Sequence, residues 1–218
     1  MTIDKNDLLN SILASISRID YVKSTDIPNI DLYMDQVTSF MEKELISAKR
    51  YEDDKILTKT MINNYAKNDL LPPPVKKKYS KEHLMVLTFI YYFKNLLSIS
   101  DIEKLLAPIT EKYFHADGDI NIARIYDKVC ESAKTRTHIL QDDIKSAFES
   151  SAETFADAKD EDKELLQFFS FICELSLDVY VKKMLIEKLI DTMIEKRELN
   201  KPEPEKKEKE KKAKNSKE

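Results

Sequence analysis

Residues 57–90 read LTKTMINNYAKNDLLPPPVKKKYSKEHLMVLTFI, and the fold turns on what this stretch becomes. Thr58 suits an N-cap, so a short helix is predicted over Lys59–Asn68. Met61, Ile62 and Tyr65 fall at spacings that pack inward, while Thr58, Lys59, Thr60, Asn63, Asn64 and Lys67 are presented outward. Pro72, Pro73 and Pro74 cannot continue a helix, so the chain is expected to run extended there. That extended piece delivers Lys76, Lys77 and Lys78 beside the short helix, and Ser80 can cap the next one. Asparagine pairs bidentately with adenine in a major groove, whereas lysine and threonine favour phosphates. The stretch therefore reads as a small nucleic-acid reader. Asn63 and Asn64 are expected on bases; Thr58, Lys59, Thr60, Lys67, Lys76, Lys77, Lys78 and Tyr79 are expected on the backbone.

Charge supports this focus. The 218-residue chain carries a net charge of −4, yet residues 55–84 hold seven lysines against only Asp69 and Glu82. A basic island in an acidic chain suits a local anionic partner, here double-stranded DNA. There is one glycine, Gly118, and no tryptophan. One glycine excludes a Gly-rich phosphate or dinucleotide loop and argues against a sheet of tight hairpins. Abundant Lys, Glu, Leu, Ile and Ala favour helices, so the expected fold class is all-α.

On the N-terminal side, Leu8, Leu9, Ile12, Leu13 and Ile16 repeat at helical spacing. Ser24 to Asn29 reads as a connector, since Pro28 keeps its predecessor out of a helix. A helix over Asp31–Leu45 is predicted to bury Met34, Val37, Met41 and Leu45, followed by a polar loop over Lys49–Lys55. On the C-terminal side, the helix after Ser80 carries Leu84, Leu87 and Tyr91 on successive turns. Ser100 to Glu103 matches a capping box whose helix should stop at Ala107, before Pro108. After a break at Gly118-Asp119, helices are predicted at Ile120–Ala133, Leu140–Phe148 and Asp162–Arg197. The last has a polar stripe through Glu174, Asp178, Lys182, Glu187 and Asp191, with broadly apolar faces elsewhere that should pack on other helices or on a second copy. Residues 201–218 hold thirteen charged side chains and are expected to be disordered. The chain thus divides into an N-terminal helix and connector (1–26), a helix-turn-helix domain (27–110), a helical regulatory or dimerisation region (111–200) and a charged tail (201–218).

Tyr65, Leu70-Leu71-Pro72 and Lys78-Tyr79-Ser80 occur in the order found in the winged helix-turn-helix of mercury-resistance-type (MerR-like) regulators, which this segment resembles. There a recognition helix ending in tyrosine runs through Gly-Leu-Leu-Pro into a wing and then a Tyr-Ser helix start. The helix after Ser100 resembles that family's second wing helix. More closely, IPNIDLYMDQV (27–37), LTKTMINNY (57–65) and LLPPPVKKKYSKEH (70–83) resemble the uncharacterised bacterial family called domain of unknown function 1836. That family occurs mainly in Gram-positive bacteria and is classed with MerR-like DNA-binding domains. The resemblance spans roughly residues 27 to 110; it implies a MerR-like fold and DNA binding but no assigned activity. Asp69 stands in for the usual turn glycine, and Asn63 and Asn64 for the usual Arg and Tyr. Val75 to Lys78 is too short for a full hairpin wing, and Lys49–Ile56 lengthens the connection between the two helices.

Little points to catalysis. His83, His115 and His138 share no metal-ligand spacing with one another or with Cys130 and Cys173. His83, in the first turn of a helix, is expected to face solvent or backbone. No serine or cysteine stands in a nucleophile context. No enzyme activity, metal or cofactor is expected, and the cysteines read as free thiols. Phe168, Phe169, Phe171, Met184 and Met193 read as packed core rather than an effector pocket, and no effector is named by the sequence. The N-terminus lacks a signal-peptide pattern, and no apolar run approaches the roughly 20 residues that span a bilayer. A cytoplasmic protein without membrane contact is expected. The working function is DNA-binding transcriptional regulation, with a homodimer formed through Leu165–Ile194. The alternative is a protein-interaction module that keeps the helix-turn-helix scaffold without binding DNA.

Overall fold

A computed structural model describes residues 5–17 and 21–199. The elements, in order, are α1 (Lys5–Ser17), β1 (Leu32–Tyr33), α2 (Met34–Glu44), a 3-10 turn (Ile46–Ala48), α3 (Lys59–Lys67), β2 (Lys78–Tyr79), α4 (Lys81–Lys94), α5 (Ile99–Tyr113), α6 (Ile122–Glu153) and α7 (Asp160–Leu199). The architecture is mostly helical, and β1 and β2 form a minimal antiparallel sheet with Leu32 opposite Tyr79 and Tyr33 opposite Lys78. The charged tail from Lys201 lies outside the described residues.

α4 organises the core. Every residue from His83 to Tyr91 is buried, as befits a helix that is apolar all round and must be covered on every side. α2, α5, α6 and β2 contact it. Val37 and Met41 of α2, Ile62 and Tyr65 of α3, and Ile102 and Leu106 of α5 join the same cluster. So do Ile122 and Tyr126 of α6, and Ile190 of α7. The Tyr126 hydroxyl donates to the Val22 carbonyl, stitching the start of the core to its end.

Several boundaries differ from expectation. α5 is capped by Ser98, not Ser100: the Ser98 Oγ accepts the Asp101 N–H at 3.1 Å and donates to Asp101 Oδ2 at 2.6 Å. The helix also runs through Pro108 to Tyr113. An interior proline costs about 3 kcal/mol. Past it, Ile109 and Phe114 pack on the core, and burying an apolar side chain contributes about 1.5–3 kcal/mol. Packing therefore outweighs propensity.

α6 is one helix of 32 residues where two were predicted. Between Ile122 and Glu153 there is no glycine or proline to end it. Its C-terminal carbonyls are met by Gln167 of α7, whose Nε2 donates to Ala152 O at 2.6 Å and Thr154 O at 3.0 Å. α6 and α7 thereby form an antiparallel hairpin, propped by α1, where Gln141 Nε2 donates to Leu13 O at 3.2 Å.

Of the side chains expected to be packed core in α7, Phe171 is buried, but Phe168, Phe169 and Met184 are exposed. The hairpin is two helices thick along much of its length, so α7 has faces that nothing covers. Along them every fourth residue from Leu165 to Leu189 is apolar, with Phe169, Cys173, Leu177, Val181 and Leu185 between; the row drifts by about 40° per step, so its middle, Phe169 to Leu185, is the part that shares one face. Apart from half-buried Cys173, these side chains are 54–69% exposed.

Candidate nucleic-acid interface

α3 is built as its sequence suggests. Thr58 caps it, its Oγ1 accepting the Met61 N–H at 3.2 Å. Ile62 and Tyr65 face the core, leaving Lys59, Thr60, Asn63, Asn64 and Lys67 exposed on the outer side. The helix ends on Asp69, whose φ of 56° is left-handed. The Leu70 N–H then reaches back to the Tyr65 carbonyl at 2.9 Å, closing a Schellman-type cap. Asp69 thus fills the glycine's role, since its short polar side chain tolerates this conformation.

The lysine arm holds a tighter structure than its length suggested. Val75 N–H donates to Lys78 O at 3.1 Å, and Lys78 N–H donates to Val75 O at 2.9 Å. Between them Lys76 and Lys77 have φ of 50° and 64°. Positive φ at both central residues is the signature of a type I′ turn, which closes the shortest β-hairpin. Four residues therefore suffice for a miniature wing, with the Lys76 and Lys77 side chains exposed at its tip.

Two residues overlooked at the sequence level connect helix and wing. Tyr33 lies beneath the wing, with the Lys78 ammonium 5.2 Å from its ring centroid. Asp35, two residues on, forms an ion pair with Lys59 at the start of α3. The beginning of α2 thus gathers α3 and the hairpin onto one patch. Tyr33 also anchors its own helix start, donating its N–H to Gln36 Oε1 at 2.9 Å. The available signal was an aromatic and a carboxylate in the quoted stretch IPNIDLYMDQV.

Tyr79 does not reach that surface. It is 3% exposed, and its ring meets His83 edge-on at 5.5 Å; burial raises its pKa. Tyr79 supports the wing from within. Of the two surroundings expected for His83, solvent or backbone, the structure gives backbone: it is 1% exposed, against Phe114 at 4.8 Å. Its Nδ1 accepts the Ser80 N–H at 3.0 Å, which leaves the neutral ring's proton on Nε2. Nε2 is buried without a partner at hydrogen-bond geometry. Burial pushes the His83 pKa down to about 4 and His115 adds to the lowering, against opposing pulls from the Pro73 and Pro72 backbone and Asp31.

The connection between α2 and α3 spans fourteen residues, 45–58, longer than the 3–4-residue turn of a helix-turn-helix. It is held down by buried Ile56 and Leu57 and by Lys94, whose Nζ donates to Ile56 O at 2.6 Å. Among the described residues no three metal-ligating side chains come together, and no helix is long and apolar enough to cross a membrane.

Residues 22–129 match the model of a family described as Domain of unknown function (DUF1836). Over those residues the chain is a DUF1836 domain. No curated protein and no solved structure matched. The DUF1836 domain begins at Val22 and takes in Tyr126, the two residues joined by the stitch across the core. It ends at Val129, already half-exposed, where α6 leaves the core.

Proposed function

We propose that the DUF1836 domain is a MerR-like winged helix-turn-helix that binds double-stranded DNA in transcriptional regulation. The observation that carries this reading is the joint placement of α3 and the lysine hairpin on either side of Tyr33 and Asp35. α3 enters the major groove with Asn63 and Asn64 toward base edges. Thr60, Lys67, Lys76 and Lys77 take phosphates. Thr58 contributes as the helix cap, while Lys78 remains on Tyr33. Lys59 adds less than its charge suggests, because Asp35 neutralises it. The turn itself lends support: lysines occupy two positions where Asn and Gly are preferred, and such locally unfavourable residues cluster at functional sites.

The test is duplex binding by the full chain across a salt series. Replacing Lys76 and Lys77 together by Gly removes two charges while keeping the turn. It should flatten the slope of log K against log salt by about two units, at ~0.9 per phosphate contact. An unchanged slope clears the wing of this role. Asn63→Ala should blur any motif enriched from random duplexes, since a bidentate base contact contributes ~1–3 kcal/mol of discrimination.

The Asp35 carboxylate in the patch and the long α2–α3 connection favour a second reading, a protein-interaction module. Absence of duplex binding at low salt by folded protein would transfer the surface to that role.

A further inference from the structure

We infer that the bare face of α7 is the contact surface for a second copy of this chain, joined antiparallel about Leu177. The apolar row from Phe169 to Leu185 repeats at intervals of four, which is the spacing of the commonest packing ridge on a helix. Two such ridges interlock at an interaxial angle near −50°. With Tyr180 and Met184 alongside, also more than half exposed, the apolar strip amounts to roughly 700 Å², at about 150–250 Å² per whole large side chain. That exceeds the 300–600 Å² of the largest patch on a typical monomer and approaches the ~800 Å² per partner of a standard interface.

Charge selects both the occupant and its direction. Residues 160–179 of α7 hold six carboxylates and one lysine, whereas residues 180–199 hold five cations and four carboxylates. A parallel pair would set the acidic halves against each other. A two-fold axis beside Leu177 instead turns each acidic half toward the partner's more basic half and brings Glu174 level with Tyr180 of the other copy, within one turn of its Lys182. The row is also symmetric about this point, with Phe169 and Leu185 both eight residues away. A face that complements itself under two-fold rotation closes at two copies. The inference stands independently of DNA binding.

The experiment is light scattering on the full chain at micromolar concentration. The expected mass is twice 25.4 kDa; a single-chain mass, or one above two chains, overturns the inference. Leu177→Asp should raise the dimer dissociation constant by about tenfold or more, as loss of a central contact does, with far-UV circular dichroism unchanged. A dimer that survives this change with intact helicity places the contact elsewhere and overturns the inference. Should Leu177→Asp lose helicity, the charge exchange decides. Glu174→Lys should weaken association, and adding Lys182→Glu should restore it; no restoration overturns the antiparallel arrangement.

Discussion

Lys76 and Lys77 adopt a backbone conformation that costs a residue with a Cβ roughly 1–2 kcal/mol, and glycine almost nothing. Lys77→Gly should therefore raise stability, by about 0.5–1 kcal/mol once glycine's greater unfolded-state freedom is set against the relief. A urea midpoint that rises with unchanged slope would show it. The hairpin was hidden in the sequence because none of its residues is a turn former; the backbone pairing of Val75 with Lys78 makes it, not composition. His83 was obscured for another reason: its place in the helix was legible, but its burial depends on Tyr79 and Phe114 arriving from other elements. With a folded pKa of about 4 and an unfolded value near 6.5, the unfolded chain binds the proton first. Stability is then fully present above about pH 6.5, falls as pH drops toward 4, and levels off below. By linkage the loss between pH 7 and pH 5 is about 2 kcal/mol. His83→Gln should lose correspondingly less between urea titrations at those two values.

α2, α3 and α4 could be located from caps and periodicity because local preference and tertiary burial agree there. Thr58 and Ser80 begin helices in the structure as they do in the sequence, and Val37, Met41, Ile62 and Tyr65 point where their spacing directs them. α5 is the opposite case. Pro108 argues locally for an end that the core overrules, so the helix carries an avoidable defect. Pro108→Ala should add about 1–3 kcal/mol of stability by restoring the missing bond toward Lys104, read as a rise in urea midpoint with duplex affinity unchanged. α6 was divided in two because its middle is polar. Polarity there reflects a hairpin with water on most sides, and nothing in residues 134–139 breaks a helix.

Across the whole molecule, the patch at α3 was legible as a list of residues but not as an assembly. What draws the list together is Tyr33 and Asp35, more than twenty positions earlier in the chain. α7 gives the converse lesson: its apolar row is plain in the sequence, which leaves open whether other helices or a second copy cover it, and the structure leaves most of that row bare of other helices. The reach of α6 carries a mechanical consequence. At 1.5 Å per residue its 32 residues extend about 48 Å, while its deepest core anchors, Ile122 and Tyr126, lie in the first two turns. The helix behaves as a cantilever braced by α1. A swing of about 5° at its root displaces the Thr154–Lys159 bend by roughly 4 Å, on the ~1.5 Å rise that sets its length. Tension applied at the distant end is thus geared down into a small rotation beside Tyr126 and Val22.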